Sequence, residues 1–399
     1  MSGVNPSPRH PRSRSGSYRE SYLGLITIRA DVVTEPCRGP TRVFAPPRGK
    51  FNRVQTARFW GAAVISAALA AATVAGCTEK PTNETASTVV TSTTRIAGAG
   101  VLGNERKPDE SCAKDPAALD PAAPREVRHA QGETEVPEDP QRIVVLDGGA
   151  IDTLCALGLQ DRIVGVALAD RATSPPSYLG TTVHNLPSIG PMASPDLAKI
   201  GAAKPDLILS SHGEQNSYLD LSAIAPTVIV SGHDLAEHVR LVGKATRRTA
   251  ETDKLWSDFV DAAKKVGREN DTAHFQASIV QFTDQTVRVY GVNNFPASVL
   301  ATAGLDRPAT QRFSDTPFIE IDTDDFSAAE GDIVYVSFTS PSAKDRATRI
   351  FGTKPWMALG ATRDHRVFAV NNEIWQTGDG IVAARGILDD LQFVNRPIN

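Results

Sequence analysis

"DLAEHVRLVGKATRRTAETDKLWSDFVDAAKKV", residues 234–266, is the stretch that decides the fold. Apolar or small side chains recur at Leu235, Val239, Val242, Ala245, Thr249, Thr252, Trp256, Phe259, Ala263 and Val266. Steps of three and four place them on one helical face. Asp234 and Glu237 stand as an N-cap and its reciprocal partner, and Gly267 as a stop. The spacing predicts one unbroken helix of roughly 50 Å, longer than a single lobe. Gly243 inside it costs about 1 kcal/mol.

On either side, short apolar runs alternate with helical ones. "RIVVL" (142–146) reads as a strand, "AIDTLCALGL" (150–159) as a helix and "DRIVGVA" (161–167) as a second strand. "SPDLAKIGAAKPDLILSS" (194–211) gives a helix, a Lys-Pro-Asp break and a buried strand, and "LSAIAPTVIVSG" (221–232) repeats the scheme. After the long helix, "ASIVQF" (277–282), "FPASVLATAGLDR" (295–307) and "DTDDFSAAEGDIVYVSF" (322–338) echo the first half. "RVFAV" (366–370) and "GDGIVAARGILDDLQFV" (378–394) close the chain. This alternation argues for parallel sheets covered on both faces. The expected architecture is α/β: two doubly wound, mostly parallel-sheet lobes, residues 141–233 and 268–399, joined by one long α-helix, 234–267.

The N-terminal part has a different character. "GAAVISAALAAATVAGCTEK" (61–80) is a short, alanine-rich apolar run preceded by Arg48, Lys50, Arg53 and Arg58. It is too short to span a bilayer and has the layout of an export signal. Its last residues, Val74 to Cys77, look like the lipobox of bacterial lipoproteins, whose cysteine carries the lipid. Residues 1–76 are therefore expected to be an export signal preceded by a mis-assigned N-terminal extension. Residues 77–140, rich in Thr, Pro, Ala and Glu, read as a lipid-anchored flexible tether. Of the four cysteines, Cys37 precedes the cut and Cys77 is the lipid site. An exported compartment then permits a Cys112–Cys155 disulfide, two free thiols being the alternative. Basic residues concentrate before the cut, so the exported part is more acidic than the whole-chain charge of −4, which argues against nucleic acid as a partner.

Four pieces carry a family likeness: "RIVVL" with "LCALGLQDRIVGVA", "LPSIG" with "SPDLAKIGAAKPDLIL", the 234–266 helix, and Trp356 with "LGATRDHRVFAVNNEIWQTGDG" and "AARGILDDL". From about residue 140 onward the chain resembles the solute-binding lipoproteins that feed iron–siderophore, haem and cobalamin importers, the iron(III)-dicitrate type above all. The resemblance implies a monomeric receptor on the outer face of the cytoplasmic membrane. It would have no intrinsic cofactor, and would pass an iron(III) chelate to an ABC permease with nearly rigid lobes. A haem or transition-metal receptor, or an envelope protein that docks no importer, are the alternatives.

In open α/β sheets ligands sit beyond the carboxyl ends of strands. A bulky chelate, its metal already saturated, needs aromatic walls and guanidinium donors. Arg171 heads the candidates, followed by Arg312 and Arg288; Trp375, Tyr290, Tyr178 and Phe338 are candidate walls, and His212 and Asn294 candidate polar contacts. A direct metal site would draw on His184, His212 and His233. The family places an acidic docking residue seven positions ahead of a Pro-Asp pair. That position holds Ala198 in the first lobe, with Asp196 as a neighbouring substitute, and Asp324 in the second. No G-x-G-x-x-G, Walker A, H-E-x-x-H or G-x-S-x-G pattern supports an enzyme.

Overall fold

The computed structural model describes residues 94–169, 172–211, 215–230 and 234–394, all within the unit Thr85–Asn399. The export signal and Cys77 lie outside the described residues. Among those described, no helix is long and apolar enough to cross a membrane.

The chain enters through the hairpin β1 (Arg95–Ile96) and β2 (Ala99–Val101), followed by a second hairpin, β3 (Glu126–His129) and β4 (Gly132–Glu135). The first lobe then runs β5 (Ile143–Leu146), α1 (Gly148–Ala156), β6 (Ile163–Leu168), α2 (Thr181–His184), β7 (Ser188–Pro191), α3 (Leu197–Ala202), β8 (Leu207–Ser210), α4 (Gln215–Ser222) and β9 (Thr227–Ile229). Its sheet has the order β7-β6-β5-β8-β9, and every neighbouring pair is parallel. β5 and β8 are buried along their whole length, as strands sealed on both faces require.

Two helices follow, α5 (Leu235–Ala245) and α6 (Thr249–Glu269). The second lobe contains β10 (Ala277–Phe282), β11 (Val287–Tyr290), α7 (Phe295–Thr302), β12 (Phe318–Ile321), β13 (Ile333–Phe338), α8 (Pro341–Ile350), α9 (Lys354–Met357), α10 (Gly360–Arg363), β14 (Val367–Ala369) and α11 (Ile381–Leu391). Its sheet order is β1-β2-β14-β13-β10-β11-β12. The run from β2 to β10 is parallel, whereas β11 and β12 add antiparallel. This lobe is therefore mixed rather than mostly parallel.

The unbroken helix is not observed. The segment parts at Thr246, Arg247 and Arg248, where Arg247 takes a left-handed φ of 56° and Arg248 N donates to Gly243 O at 2.7 Å. Both arginines turn inward. Arg247 donates to Pro121 O and Glu138 O; Arg248, 1% exposed, donates to Ala117 O and to the Asp139 carboxylate. A Cβ on Gly243 would lie 2.0 Å from Thr252 Oγ1, so the glycine allows α5 to close against the first turn of α6. The rod that remains, α6, has 21 residues and spans roughly 31 Å.

Residues 94–140, expected to belong to a flexible tether, are instead ordered. From Thr94 the chain is a strap between the lobes. β2 pairs with β14 of the second lobe, and Arg106 binds Gly386 O and the Asp390 carboxylate at 2.6 Å each. Asp109 accepts from Thr181 N. Cys112 then joins Cys155 of α1 in a disulfide, the pairing expected from the cysteine arithmetic. Gly158, at φ +68°, lets Asp115 O approach to 2.2 Å of where a Cβ would stand. Backbone pairing and single ion pairs order this segment, and neither leaves an apolar period to read.

Candidate functional site

The floor of the site lies where α1 and α11 begin. Asp147, one residue beyond β5, caps α1 by accepting from Ala150 N at 2.7 Å and accepts from His238 Nε2 of α5 at 2.8 Å. Burial opposes the Asp147 charge, but the imidazole and the Ala150 N–H outweigh it and hold the carboxyl below its ordinary value. The same exchange acts on His238. Burial disfavours its cation, yet Asp147, Asp379 and Asp152 raise its pKa.

One turn further along α1, Asp152 is sealed from solvent and reaches into the other lobe. It accepts Val382 N at 2.7 Å and Ala383 N at 2.9 Å, capping α11, whose own N-cap is Gly380. It also accepts from Tyr178 Oη at 2.8 Å. A Cβ on Gly380 would stand 2.3 Å from Asp152 Oδ1, so only glycine allows this approach. Burial pushes the Asp152 carboxyl up to about 6 despite these donors. Asp379, just ahead of α11, is exposed. Desolvation, with Asp147 and Asp152 nearby, pushes it up to about 7 against the pull of His238. At the rim Glu373, in the π-helical turn Glu373–Thr377, accepts from Ser177 N at 2.9 Å and Ser177 Oγ at 2.5 Å across the lobes.

One face of the second-lobe sheet gathers polar and aromatic side chains. In register, Arg288 lies opposite both Gln281 and Glu320, and Tyr290 opposite Phe318, so these five side chains share a face. The Arg288 guanidinium lies 4.4 Å from the Phe318 ring centre and pairs with Glu320 at 3.2 Å. Tyr290 Oη donates to Gln281 Oε1 at 3.0 Å, and Gln281 Nε2 to Asn372 Oδ1 at 2.8 Å. Two small cavities flank the floor. One of about 60 Å³ lies between Gly148, Pro176, Tyr178 and Glu373; one of about 210 Å³ lies between Leu235, His238, Asn293, Phe295 and Asp379. A larger hollow lies in the α6–α11 groove, and another beneath the strap reaches the floor and rim at Ser177, Tyr178 and Val382.

The structure sorts the sequence candidates. Arg171, His212 and His233 lie outside the described residues. Tyr290 and Arg288 come together on the second-lobe face. Tyr178 lines the smaller cavity, but its hydroxyl is committed to Asp152. Asn294 borders the larger cavity while capping α7 through Ala297 N. Trp375 is not a wall: it is 0% exposed, donates from Nε1 to Asp390 at 2.8 Å and packs against Tyr335 with ring centres 4.5 Å apart. Phe338 follows Val336 onto the opposite sheet face and packs on Phe282 and Phe351. Arg312 clasps its own loop through Asp306 and Arg307 O. His184 Nδ1 is engaged with Pro175 O, and among the described residues no three His, Cys, Asp or Glu side chains group as metal ligands. Asp324 is exposed, whereas Asp196 is occupied capping α3 through Ala198 N and Lys199 N. Sequence reasoning missed His238, Asp152 and Asp379. The available signal was polarity out of place: Asp152 in an apolar helix and His238 beside the apolar stripe, each requiring a partner once buried.

The geometry agrees with what the chain is similar to. A family profile described as "Periplasmic binding protein" matches residues 143–373. The chain is 27% identical over 286 residues to a probable siderophore-binding lipoprotein, YfiY, of Bacillus subtilis, covering 67% of this chain and 86% of that one. It is 27% identical to the achromobactin-binding periplasmic protein of Dickeya dadantii, over 64% of this chain and 86% of that one. With the Fe(3+) dicitrate-binding periplasmic protein FecB of Escherichia coli it shares 25% identity, over 66% and 88%. Among solved structures, Staphylococcus aureus SirA complexed with staphyloferrin B superposes with a TM-score of 0.58 at 23% identity, covering 67% of this chain and 96% of that one. The chain belongs to the periplasmic binding protein family.

Proposed function

We propose that this protein captures an iron(III) chelate of the siderophore or ferric citrate class outside the cytoplasmic membrane and passes it to an ABC importer. The observation that supports this reading is the face that Arg288, Tyr290, Phe318 and Gln281 build together on the second-lobe sheet. Aromatic rings supply flat apolar wall, and a guanidinium already stacked on one of them offers paired donors to a chelate's oxygens. The relatives named above as siderophore-, achromobactin- and Fe(3+) dicitrate-binding proteins point to the same ligand class. Membrane attachment would come through Cys77, and docking through Asp324 on one lobe only, since Ala198 lacks a carboxylate.

Protein lacking residues 1–77 tests this. Binding of ferric citrate, a ferric trihydroxamate and haem is measured by equilibrium dialysis, and any co-purifying chelate is identified by mass spectrometry. One iron chelate should bind saturably, and Arg288→Ala should weaken it by about tenfold, the loss of one charge-assisted contact. If none of the three binds and no iron chelate co-purifies, the reading is abandoned.

A further inference from the structure

Arg307 is a buried cation that the proposed chelate face does not use. It is 4% exposed. Its neighbour Asp306 gives its carboxylate to Arg312 at 2.6 Å, so the Arg307 guanidinium has no ion pair among the described residues. Its fork donates instead to two main-chain carbonyls, Ala277 O at the start of β10 and Tyr290 O at the end of β11. Its Nε is buried and has no hydrogen-bond partner. A buried guanidinium without a counter-ion is costly, and what it supplies in return is a rigid double donor.

The register shows what that donor does. β10 and β11 pair only from Val280–Val289 to Phe282–Val287, so beyond Val289 the ladder no longer holds Tyr290 to β10. The chain at Asp306 runs beside the start of β10 instead, with Ala277 N donating to Asp306 O at 2.9 Å. Arg307 closes the gap by taking one carbonyl from each strand. Its own loop is clasped, since Arg312 Nε donates to Arg307 O at 3.0 Å.

Tyr290 is held at its other end as well. Gln281, 4% exposed, accepts from Tyr290 Oη at 3.0 Å and donates to Asn372 Oδ1 at 2.8 Å. Between the two grips the tyrosine ring lies 5.5 Å from Phe318, centre to centre, and Arg288 stacks on that phenylalanine. Both gripping side chains are buried, whereas Tyr290 is half-buried, so contact with a guest falls to the tyrosine.

We propose that Arg307 and Gln281 are positioning residues for ligand recognition: one fixes the Tyr290 main chain, the other its hydroxyl, and both act on the captured chelate only through Tyr290. The proposal rests on the ferric-chelate reading and makes Tyr290 the residue whose placement sets affinity.

The test is a double-mutant cycle in protein lacking residues 1–77, with ferric citrate and a ferric trihydroxamate as probes in equilibrium dialysis. Arg307→Lys keeps the charge and loses the fork; Gln281→Met keeps the length and loses both hydrogen bonds. Each should weaken the chelate that binds by about fivefold, and each loss should shrink to within about twofold when Tyr290→Ala is already present. A residue that merely stabilised the lobe would weaken binding equally in both backgrounds. A readout free of ligand comes from 3-fluorotyrosine and fluorine NMR, the Tyr290 signal being assigned by its absence in Tyr290→Phe. That signal should shift in Arg307→Lys and in Gln281→Met. Losses that persist undiminished beside Tyr290→Ala, or affinities unchanged by both variants, overturn the proposal. Arg312→Ala, which loosens the Arg307 loop from outside, replaces Arg307→Lys should that variant fail to fold. If a chelate binds and the fluorine signal stays put in both variants, the grip fails alone. If the signal shifts and no chelate binds, the ferric-chelate reading fails and the grip on Tyr290 stands.

Discussion

Two of the places where the lobes meet are built differently. At α5–α6 the chain passes from one lobe to the other with an apolar stripe that runs on through a break, and the break is held by buried arginines. At α1–α11 no chain passes. There a sealed carboxylate caps a helix of the opposite lobe, and a disulfide strap crosses beside it. A continuous rod would hold the lobe angle by its own stiffness. A broken one cannot, so the angle is set by the junction and the strap, and the receptor fold does not need the unbroken helix that its sequence suggests.

The largest expected effect comes from the strap. Cys112 and Cys155 are 43 residues apart, and opening a loop of that size removes about 4 kcal/mol of stability on the chain-entropy account. Cys112→Ser with Cys155→Ser should show that loss in urea unfolding, with small-angle scattering reporting a wider distribution of lobe separations. If stability falls while the scattering stays unchanged, α5–α6 and α11 hold the angle without the strap.

The junction should reveal itself through pH. The Asp152 carboxyl, ordinarily near 3.8, is raised to about 6 in the folded state. Its protonated form is therefore the stabilising one: the contribution is complete below pH 3.8 and is lost as pH rises through about 6. Between about pH 4 and pH 7 the wild type should lose about 2 kcal/mol relative to Asp152→Asn. Asp379, raised to about 7, adds in the same direction. Asp147, held low, acts oppositely and only toward acid. Parallel stability curves for wild type and Asp152→Asn would show that this carboxylate does not titrate at the junction.

How much of this was legible depends on which force shaped each part. The strands at 207–210 and 277–282 were readable to the residue because both are buried throughout, which leaves an unmistakable apolar run. Arg288 and Tyr290, candidates from the sequence, share one face of β11 while Val287 and Val289 are buried on the other. The break at Arg247 was not, because α5 and α6 bury the same stripe and no glycine or proline marks the left-handed residue. Trp375 misled for the opposite reason. Its neighbours are polar, but its indole N–H has Asp390 as a partner inside the core. Asp152 and Asp379 act across the lobes on groups some 230 residues away in one case, a pairing that local pattern does not encode.

Gly243 separates a rod from a crossing by the sign of a single substitution. In a continuous helix, Gly243→Ala would stabilise by about 1 kcal/mol through propensity alone. At the observed crossing the new methyl would stand 2.0 Å from Thr252 Oγ1, a hydroxyl itself tied to Thr249 O. The expected result is destabilisation by about 2 kcal/mol, partly relieved when Thr252→Ala is added. A stabilised Gly243→Ala protein would restore the rod.

The rim contact should matter least. Ser177 and Glu373 bridge the lobes as the junction does, but beside solvent. Ser177→Ala keeps the backbone N–H and removes only the hydroxyl, so the cost should be about 1 kcal/mol or less. Water can replace the lost donor to Glu373, whereas nothing can reach Asp152. The comparison therefore predicts that hydrogen exchange at Val382 and Ala383 is unchanged in Ser177→Ala and accelerated in Asp152→Asn. Acceleration in both would mean that rim and floor open as one unit, and that the sealed carboxylate contributes no hold of its own.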